Sequence, residues 1–287
     1  MTTTRESSET ALTAAAARAA HLIVDGAPTI FSDPLAEVLL GDRAGELIGY
    51  HRAHGGHPVL AGARAQVTCR SRYTEDRLAG AVDAGVRQYA VLGAGLDTFA
   101  YRSGLADRLH VFEVDHAASQ RWKRDRLAAA GIAARGRVTH VAVDLETDAL
   151  VARLLAAGFD PAGPAVVSWL GVTMYLTRDA IARTLAELGR LAAGTELIVD
   201  YMVPDHLRDP DGRIYVELVA PVAAQRGEPW RTFFTPADLS GLLDAYGLAT
   251  VEHARQHEMV DPALWERTDA LRPSTLTRIV RARVAPG

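Results

Sequence analysis

A short apolar run that ends in two glycines constrains the fold of this chain most strongly. Residues 91–97 have the sequence VLGAGLD, which is typical of a strand followed by a glycine turn and the start of a helix. In open α/β sheets a ligand lies at the carboxyl ends of the strands, beside this first glycine loop. Glycine suits the loop because a side chain there would collide with the ligand. Gly93 and Gly95 are therefore predicted to contact a ligand, and a tight turn without a ligand is the alternative.

The segments around this loop alternate between strands and helices, as in a parallel sheet built from βαβ units. Buried strands are predicted at residues 87–92, 109–114, 137–143, 165–170 and 196–200. Helices are predicted between them at residues 117–130, 148–157 and 178–193. A helix at 235–246 and strands at 249–254 and 277–284 follow. The pattern predicts an α/β, Rossmann-like fold with a mostly parallel sheet.

The flanking regions are interpreted as additions around this sheet, so a single domain is predicted for residues 1–287. Its predicted parts are a helical extension (1–84), a ligand-binding core (85–200), a cap insertion with a helix (201–247) and C-terminal strands (248–287). Helices are predicted within the extension at 10–24, 34–40 and 64–84. Residues 41–58, which contain five glycines and three histidines, are predicted to form a solvated loop and not a metal site. Prolines after Asp200 predict irregular chain up to residue 235.

The composition excludes several classes of function. The net charge is −4 without a long basic run, so nucleic acid is not an expected partner. Cys69 is the only cysteine, which rules out an internal disulfide and any multi-cysteine metal site. No apolar run approaches the roughly 20 residues that span a bilayer, and residues 1–24 lack the apolar centre of a signal peptide. We therefore expect a soluble, cytoplasmic protein without a membrane partner; the sequence leaves its oligomeric state open.

Two acidic residues at strand ends strengthen the prediction of a ligand site. Asp115 ends the second predicted strand, twenty residues past Gly95, where a carboxylate accepts hydrogen bonds from ribose hydroxyls. Glu113 shares its face by the two-residue strand period and is an alternative. Asp144 ends the third strand and could accept from the adenine amino group, while the Leu145 backbone N–H donates to a ring nitrogen. Capping of the following helix is the alternative role for Asp144.

The glycine loop favours S-adenosylmethionine over a dinucleotide. The dinucleotide fingerprint has a small residue where Thr98 stands, and it binds pyrophosphate at a helix N-terminus. Asp97 in that first turn would repel a diphosphate, whereas S-adenosylmethionine carries a cationic sulfonium and no phosphate. Arg72 is predicted to pair with the carboxylate of the donor's methionine part, because a guanidinium matches a carboxylate bidentately. Arg64 and Arg70 are predicted to be surface residues.

Several motifs together resemble the leucine carboxyl methyltransferase family, in the bacterial branch that includes polyketide O-methyltransferases. The matching pieces are FSDPLAEVLL (31–40), SRY (71–73), LGAGLDTFAYR (92–102), FEVD (112–115), VDL (143–145) and SWLGVTMYL (168–176). The resemblance implies a seven-stranded sheet with an antiparallel last strand, an N-terminal helical lid and an insertion after strand five. It also implies donor contacts at Arg72, Gly93, Gly95, Asp115, Asp144 and Leu145.

The same resemblance implies transfer of a methyl group from S-adenosylmethionine. Some relatives that methylate a protein C-terminus have a glutamate where this chain has Leu170. The expected reaction is therefore O-methylation of a small-molecule carboxylate or phenol, in secondary metabolism. Tyr175 and Tyr201, near the ends of strands four and five, are predicted substrate contacts. No catalytic residue is identified, although His116 and His206 are candidate bases; a nicotinamide-dependent oxidoreductase and a non-catalytic donor-binding protein are the alternatives.

Overall fold

A seven-stranded sheet forms the centre of the computed structural model, which describes residues 8–286. The strands are β1 (Gln88–Leu92), β2 (His110–Asp115), β3 (Arg137–Ala142), β4 (Ala165–Trp169), β5 (Glu196–Met202), β6 (Leu248–Arg255) and β7 (Thr277–Val284). Their order is β3-β2-β1-β4-β5-β7-β6. Pairs among β1–β5 are parallel, whereas β7 is antiparallel to both β5 and β6. The predicted Rossmann-like sheet with an antiparallel last strand is confirmed.

Helices cover both faces of this sheet. They are α1 (Glu9–Val24), α2 (Ala36–Leu40), α3 (Ala44–His54), α4 (Pro58–Asp83), α5 (Phe99–Arg102), α6 (Ala117–Ala129), α7 (Leu150–Ala156), α8 (Arg178–Leu188), α9 (Pro210–Gln225) and α10 (Pro236–Ala245). Side chains alternate along β1, so Ala90 and Leu92 pack with α7, α8 and α10, while Tyr89 and Val91 pack with α4 and α5. Within residues 8–286 no helix has the length and apolarity needed to cross a bilayer.

The N-terminal helices form a roof over one end of the sheet. Ser8 caps α1 by accepting a hydrogen bond from the Ala11 N–H at 3.3 Å. The buried alanines of α1 pack against α2 and α3, and the same apolar cluster includes Leu96 from the glycine loop. Small side chains let α1 lie close to that loop. The predicted helical lid is therefore present.

The predicted loop at 41–58 is wrong, because most of it is helical. A 3₁₀ turn covers Gly41–Arg43, and α3 extends from Ala44 to His54. Ile48 and His51, three residues apart, form the buried side of α3. Gly45 and Gly49 lie where an added Cβ would meet nothing within 4 Å. Each such glycine costs a helix about 1 kcal/mol relative to alanine, and packing of the buried side offsets that cost.

The segment after β5 also contains more helix than its prolines predict. Asp209 caps α9 by accepting from the Gly212 N–H at 2.7 Å, and Pro210 occupies the first helical turn. Pro221 lies inside α9, near its C-terminal end. A proline that begins a helix is compatible with it, since the first N–H groups have no intrahelical acceptor. The insertion is thus an ordered helix that packs against α4.

A buried ionic network fastens the roof helices to one another. Arg64, on α4, donates through Nε and Nη2 to both oxygens of Asp25, at 2.8 Å each. His21 Nδ1 lies 2.9 Å from Asp25 Oδ2, and its Nε2 accepts from the Ile30 N–H. His51 Nδ1 lies 3.3 Å from Arg64 Nη1. Arg64 is fully buried, so its prediction as a surface residue is wrong.

Candidate functional site

A cavity of about 510 Å³ lies where the parallel strands end. Its floor is formed by the segments that follow β1, β2, β3 and β4, and its roof by α1, α4 and residues 226–231. Open α/β sheets bind ligands at this edge, and the volume lies within the roughly 300–1,000 Å³ of typical ligand sites. We call it the main cavity.

The glycine loop after β1 is shaped by close backbone packing. Gly93 and Gly95 have φ angles of 66° and 46°, which L side chains rarely adopt. An added Cβ on Gly93 would come 2.3 Å from Val172 Cγ2, and one on Gly95 would come 3.3 Å from Ala11 Cβ. The loop therefore requires glycine both for its conformation and for its contacts with the β4 segment and α1.

Asp115 connects this loop to the end of β2. Its Oδ2 accepts from the Gly95 N–H and its Oδ1 from the His116 N–H, both at 2.6 Å. A carboxylate has about four lone-pair sites, so two stay available to a ligand. Asp115 lines the main cavity, whereas Glu113 is buried beneath it and pairs with Lys123 Nζ at 2.8 Å. Glu113 is therefore wrong as an alternative to Asp115.

Asp144 and Leu145 line the same cavity at the end of β3. Asp144 Oδ1 accepts from the Glu146 N–H at 2.9 Å and organises the turn. Helix α7 begins at Leu150 with Ala149 as its N-cap, so Asp144 does not cap that helix. The Leu145 N–H has no acceptor among residues 8–286. A free donor and a carboxylate thus lie side by side at the cavity wall.

These groups fit S-adenosylmethionine better than a dinucleotide. Six carboxylates line the main cavity, and Asp97, Asp115 and Asp144 are the three at its strand ends. Asp97 also accepts from the Phe99 N–H at 2.8 Å, in the turn where a dinucleotide's phosphates would lie. Negative charge there disfavours a diphosphate and favours a cationic ligand. The free Leu145 N–H matches a nucleobase ring nitrogen.

Arg70 is the arginine that α4 brings to this site. Its Nη1 donates to Asp200 Oδ2 at 2.8 Å, and Asp200 Oδ1 accepts from the Gly171 N–H at 2.6 Å. The guanidinium lies against Gly171, where an added Cβ would approach Nη2 to 2.6 Å. The side chain of Arg70 is 13% exposed and lines the main cavity.

Arg72 lies elsewhere, and its predicted placement at the donor is wrong. Residues two apart on an α-helix point about 200° away from each other, so Arg70 and Arg72 cannot face the same cavity. The Arg72 side chain is 44% exposed and donates to Asp76 Oδ2 at 2.7 Å, one turn along α4. Arg70, predicted to be a surface residue, occupies the position that Arg72 was expected to hold.

The two predicted substrate tyrosines are also separated. Tyr175 lines the main cavity, and burial raises its pKa above the usual value. Tyr201 is 1% exposed within the core under α8 and α10, and its hydroxyl lies 2.8 Å from His253 Nδ1. It lines no part of the cavity, so its prediction as a substrate contact is wrong. Alternation along β5 directs its side chain into the core.

A smaller cavity, of about 100 Å³, adjoins the main one. Arg70, Gly171 and Tyr175 line both. We call this smaller cavity the annex. Its other walls include Gln66, Met174, Met202, Tyr215 and Trp230. These residues come from α4, the segment after β4, the end of β5 and the α9 region.

Sequence reasoning missed two links between the roof and the floor. Arg18 donates through Nε to Asp33 Oδ2 at 2.7 Å and through Nη2 to the Leu96 carbonyl at 2.6 Å. Burial alone would raise the pKa of Asp33, but the charge of Arg18 and a hydrogen bond from Thr98 outweigh it and lower the pKa. The FSDPLAEVLL motif contains Asp33 and could have indicated this role.

The second link closes the roof itself. Glu228, in the loop after α9, accepts from Ser8 Oγ at 2.5 Å and from Thr10 Oγ1. Glu228 and Thr10 both line the main cavity. Nothing in the local sequence pairs these residues, because they are separated by most of the chain. The start of α1 and the insertion after β5 therefore meet over the cavity.

Comparison with known proteins agrees with this site. Solved structures with the same fold include a DUF574-family protein from Streptomyces avermitilis, with 20% identity, a TM-score of 0.61 and coverage of 94% of this chain and 97% of that chain. Human N-acetylserotonin methyltransferase in complex with SAM also shares the fold, at 12% identity, a TM-score of 0.50 and coverage of 85% and 60%. These two likenesses show the fold, and relatives by sequence define the class of S-adenosylmethionine-dependent methyltransferases.

Sequence relatives narrow the class to a family. The family model described as leucine carboxyl methyltransferase matches residues 11–189. Bacillus subtilis YktD, provisionally named an S-adenosyl-L-methionine-dependent methyltransferase, is 31% identical over 93% of this chain and 94% of its own length. A similarly named protein of Mycobacteroides abscessus is 30% identical over 91% of this chain and 85% of its own length. The chain belongs to the leucine carboxyl methyltransferase family, and S-adenosylmethionine is its cofactor.

Proposed function

We propose that this protein transfers a methyl group to an oxygen of a small molecule, and that this oxygen belongs to a carboxylate. The observation that carries the proposal is the set of titratable residues around the annex. Among residues 8–286 these are Arg70, Tyr175 and Tyr215. Burial raises the pKa of Tyr175, and it raises the pKa of Tyr215 to about 12. None of the three accepts a proton at neutral pH.

The candidate bases named from sequence lie in other places. His116 lines the main cavity at the end of β2, beside Asp115. His206 lines neither cavity. A carboxylic acid with a pKa near ~4 is already ionised at pH 7 and needs no base, whereas an alcohol or phenol does. A carboxylate acceptor therefore agrees best with the groups present.

We propose these roles for the residues that hold the donor. Asp115 accepts from the ribose hydroxyls with its two unused lone pairs. Asp144 accepts from the adenine amino group, and the Leu145 N–H donates to the ring. Gly93 and Gly95 keep the loop free of side chains, and Arg70 pairs with the carboxylate of the methionine part. When bound, the donor supplies a methyl carbon that its positive sulfur has already activated.

The protein's own contribution is then to position the acceptor and to exclude water. Holding two reactants in the reacting geometry can supply roughly 7–11 kcal/mol of the barrier at best. The roof performs this task, since Ser8 and Thr10 of the α1 segment join Glu228 across the main cavity. The carboxylate nucleophile loses no proton during the reaction.

Labelled methyl donor, a panel of carboxylic acids and phenols, and mild alkali test this proposal. An ester releases its label as methanol, and the rate should be nearly flat from about pH 6 to 9, because the acceptor stays ionised. Label that survives alkali, with a rate rising through neutral pH, would assign the reaction to a phenol and a base. Donor binding without transfer to any acceptor would make the protein a non-catalytic binder.

A further inference from the structure

The order of the strands determines the order in which the lining groups lie along the site. Along the edge of the sheet the segments follow in the order β3, β2, β1, β4 and β5. Asp144 and Asp115 mark the first two positions and the glycine loop the third. The annex lies at the last two, since Gly171 follows β4 and Met202 ends β5. Neighbouring strands are about 4.8 Å apart, so the annex opens roughly 5–10 Å beyond the glycine loop, on the side away from the nucleoside.

The walls of the annex suit a flat apolar group. The rings of Tyr215 and Trp230 are stacked, with centroids 6.4 Å apart and planes 10° from parallel. Met174 and Met202 belong to the same apolar cluster. Aromatic faces and thioether sulfurs both make favourable contacts with an aromatic ring. The annex is smaller than the roughly 150 Å³ cavity known to accept benzene, so one six-membered ring is the largest rigid group it can take.

Two uncharged polar side chains of the annex make no hydrogen bond within residues 8–286. Gln66 lines the annex and is 7% exposed; its side-chain amide makes no hydrogen bond among residues 8–286 and is not fully enclosed by protein. Trp230 Nε1 is buried, and its one polar neighbour of note is Tyr175, with which it makes no hydrogen bond of normal geometry in the described residues. Buried polar groups are almost always hydrogen-bonded, and leaving one unpaired costs about 1–3 kcal/mol. Unpaired groups beside a cavity indicate a ligand that forms the missing hydrogen bonds.

We propose that the annex binds the body of the methyl acceptor, and that the acceptor is a single-ring aromatic carboxylic acid with a neutral oxygen substituent. This inference rests on the proposed function. The ring lies against the Tyr215–Trp230 stack, and Gln66 and Trp230 hydrogen-bond the substituent. The carboxylate lies at the opening, where Arg70 and Tyr175 line both cavities. A hydroxyl or carbonyl substituent is favoured over a second carboxylate, since Gln66 and Trp230 are uncharged.

The test compares ring acids with aliphatic acids of similar pKa. Benzoate, 3-hydroxybenzoate and 4-hydroxybenzoate are titrated into the protein loaded with S-adenosylhomocysteine, alongside propionate and succinate. They are then assayed as acceptors with labelled donor. We expect at least one ring acid to bind at least tenfold more tightly than the aliphatic acids. A hydroxybenzoate should be methylated on its carboxylate.

Three variants probe the annex and one serves as a control. Ala63→Leu narrows the annex and Trp230→Ala removes one stacked ring, so each should raise the Kd of the ring acid at least tenfold. Gln66→Leu should weaken hydroxybenzoates about three- to tenfold while changing benzoate less than twofold. Ala79→Leu, on the same helix but outside both cavities, should change neither. All four should bind S-adenosylhomocysteine within twofold of the unmodified protein.

The outcomes separate this inference from the proposed function. If ring acids bind no more tightly than propionate, or bind Ala63→Leu and Trp230→Ala normally, the annex is not the acceptor site. Oxygen methylation of another molecule would then leave the proposed function standing. Conversely, ring acids that bind in the annex without being methylated on oxygen would contradict the proposed function, while the annex remains a binding site.

Discussion

The two halves of the site differ in how the chain assembles them. The half at β1, β2 and β3 takes its groups from segments that directly follow consecutive strands, between residues 93 and 146. The half at β4 and β5 combines α1, α4 and the α9 region with two strand ends, from Thr10 to Trp230. Strand-end geometry fixes the first half locally, whereas tertiary packing of distant helices creates the second. A sequence motif can therefore describe the half proposed to bind the donor but not the half that contains the annex.

The arginine where the two halves meet should give the largest effect. Arg70→Ala leaves Asp200 buried without its cation, and breaking such a pair costs about 3–5 kcal/mol. We expect lower stability together with donor binding weakened on the order of a hundredfold or more. Arg72→Ala is the matched control. It should change the Kd of the donor less than twofold and leave stability unchanged, since Arg72 pairs with Asp76 in solvent. Calorimetric titration with S-adenosylhomocysteine and thermal unfolding measure both. If Arg72→Ala weakened donor binding more than Arg70→Ala, then Arg72 and not Arg70 would be the residue that binds the donor.

A change at Asp115 should affect the donor half alone. Hydrogen bonds to a charged group contribute about 1.5–3 kcal/mol each, so Asp115→Ala should weaken S-adenosylhomocysteine roughly 30-fold or more. The 2′-deoxy analogue should lose little further affinity in this variant, because its missing hydroxyl has already lost its partner. Asp125→Ala, on the exposed side of α6, is the control. Unchanged discrimination between the two ligands would leave Asp115 with only its role in holding the Gly95 N–H.

Acid is expected to lower the stability of the folded protein through His51, which lies in the roof. Burial and the nearby charge of Arg64 lower its pKa from 6.5 to about 4. Between these values the unfolded chain binds a proton that the folded protein does not, so stability falls as the pH decreases through this window. The expected slope is about 1.4 kcal/mol per pH unit from this group. Urea unfolding at several pH values should show a shallower slope in His51→Gln, and an equal slope in both would mean that His51 is protonated in the folded state.

The tyrosine pair gives the smallest expected effects and separates catalysis from packing. Tyr175→Phe should raise the KM for the acceptor while leaving S-adenosylhomocysteine binding unchanged, because Tyr175 lines both cavities. Tyr201→Phe should leave the kinetics unchanged and cost about 1 kcal/mol of stability through the lost bond to His253. Steady-state kinetics and urea unfolding of the two variants provide the comparison. If only Tyr201→Phe changed the kinetics, Tyr201 would contact the substrate as the sequence predicted.

The regular elements of the fold could be predicted because their patterns are local. Alternating strands and helices gave the parallel sheet, and the run of residues 91–97 located the glycine loop. The sequence did not show which side of α4 faces the cavity, so Arg72 was placed on the wrong side. Its i,i+4 spacing to Asp76 is nevertheless typical of a solvent-exposed pair. Glycine content misled for α3, because packing of Ile48 and His51 offsets the cost of its glycines. The roles of Glu228 and Gln66 could not be predicted from the sequence, because they depend on contacts between distant segments.

The strand that completes the sheet is also the last of the seven strands along the chain. β6 joins the sheet only through β7, which inserts between β5 and β6. Until residues 277–284 have left the ribosome, β5 presents an open edge and β6 has no partner. Exposed strand edges are templates for pairing with other chains. A nascent chain of this protein is therefore prone to self-association until residues 277–284 have joined the sheet, and premature termination before residue 277 would expose the same edge permanently.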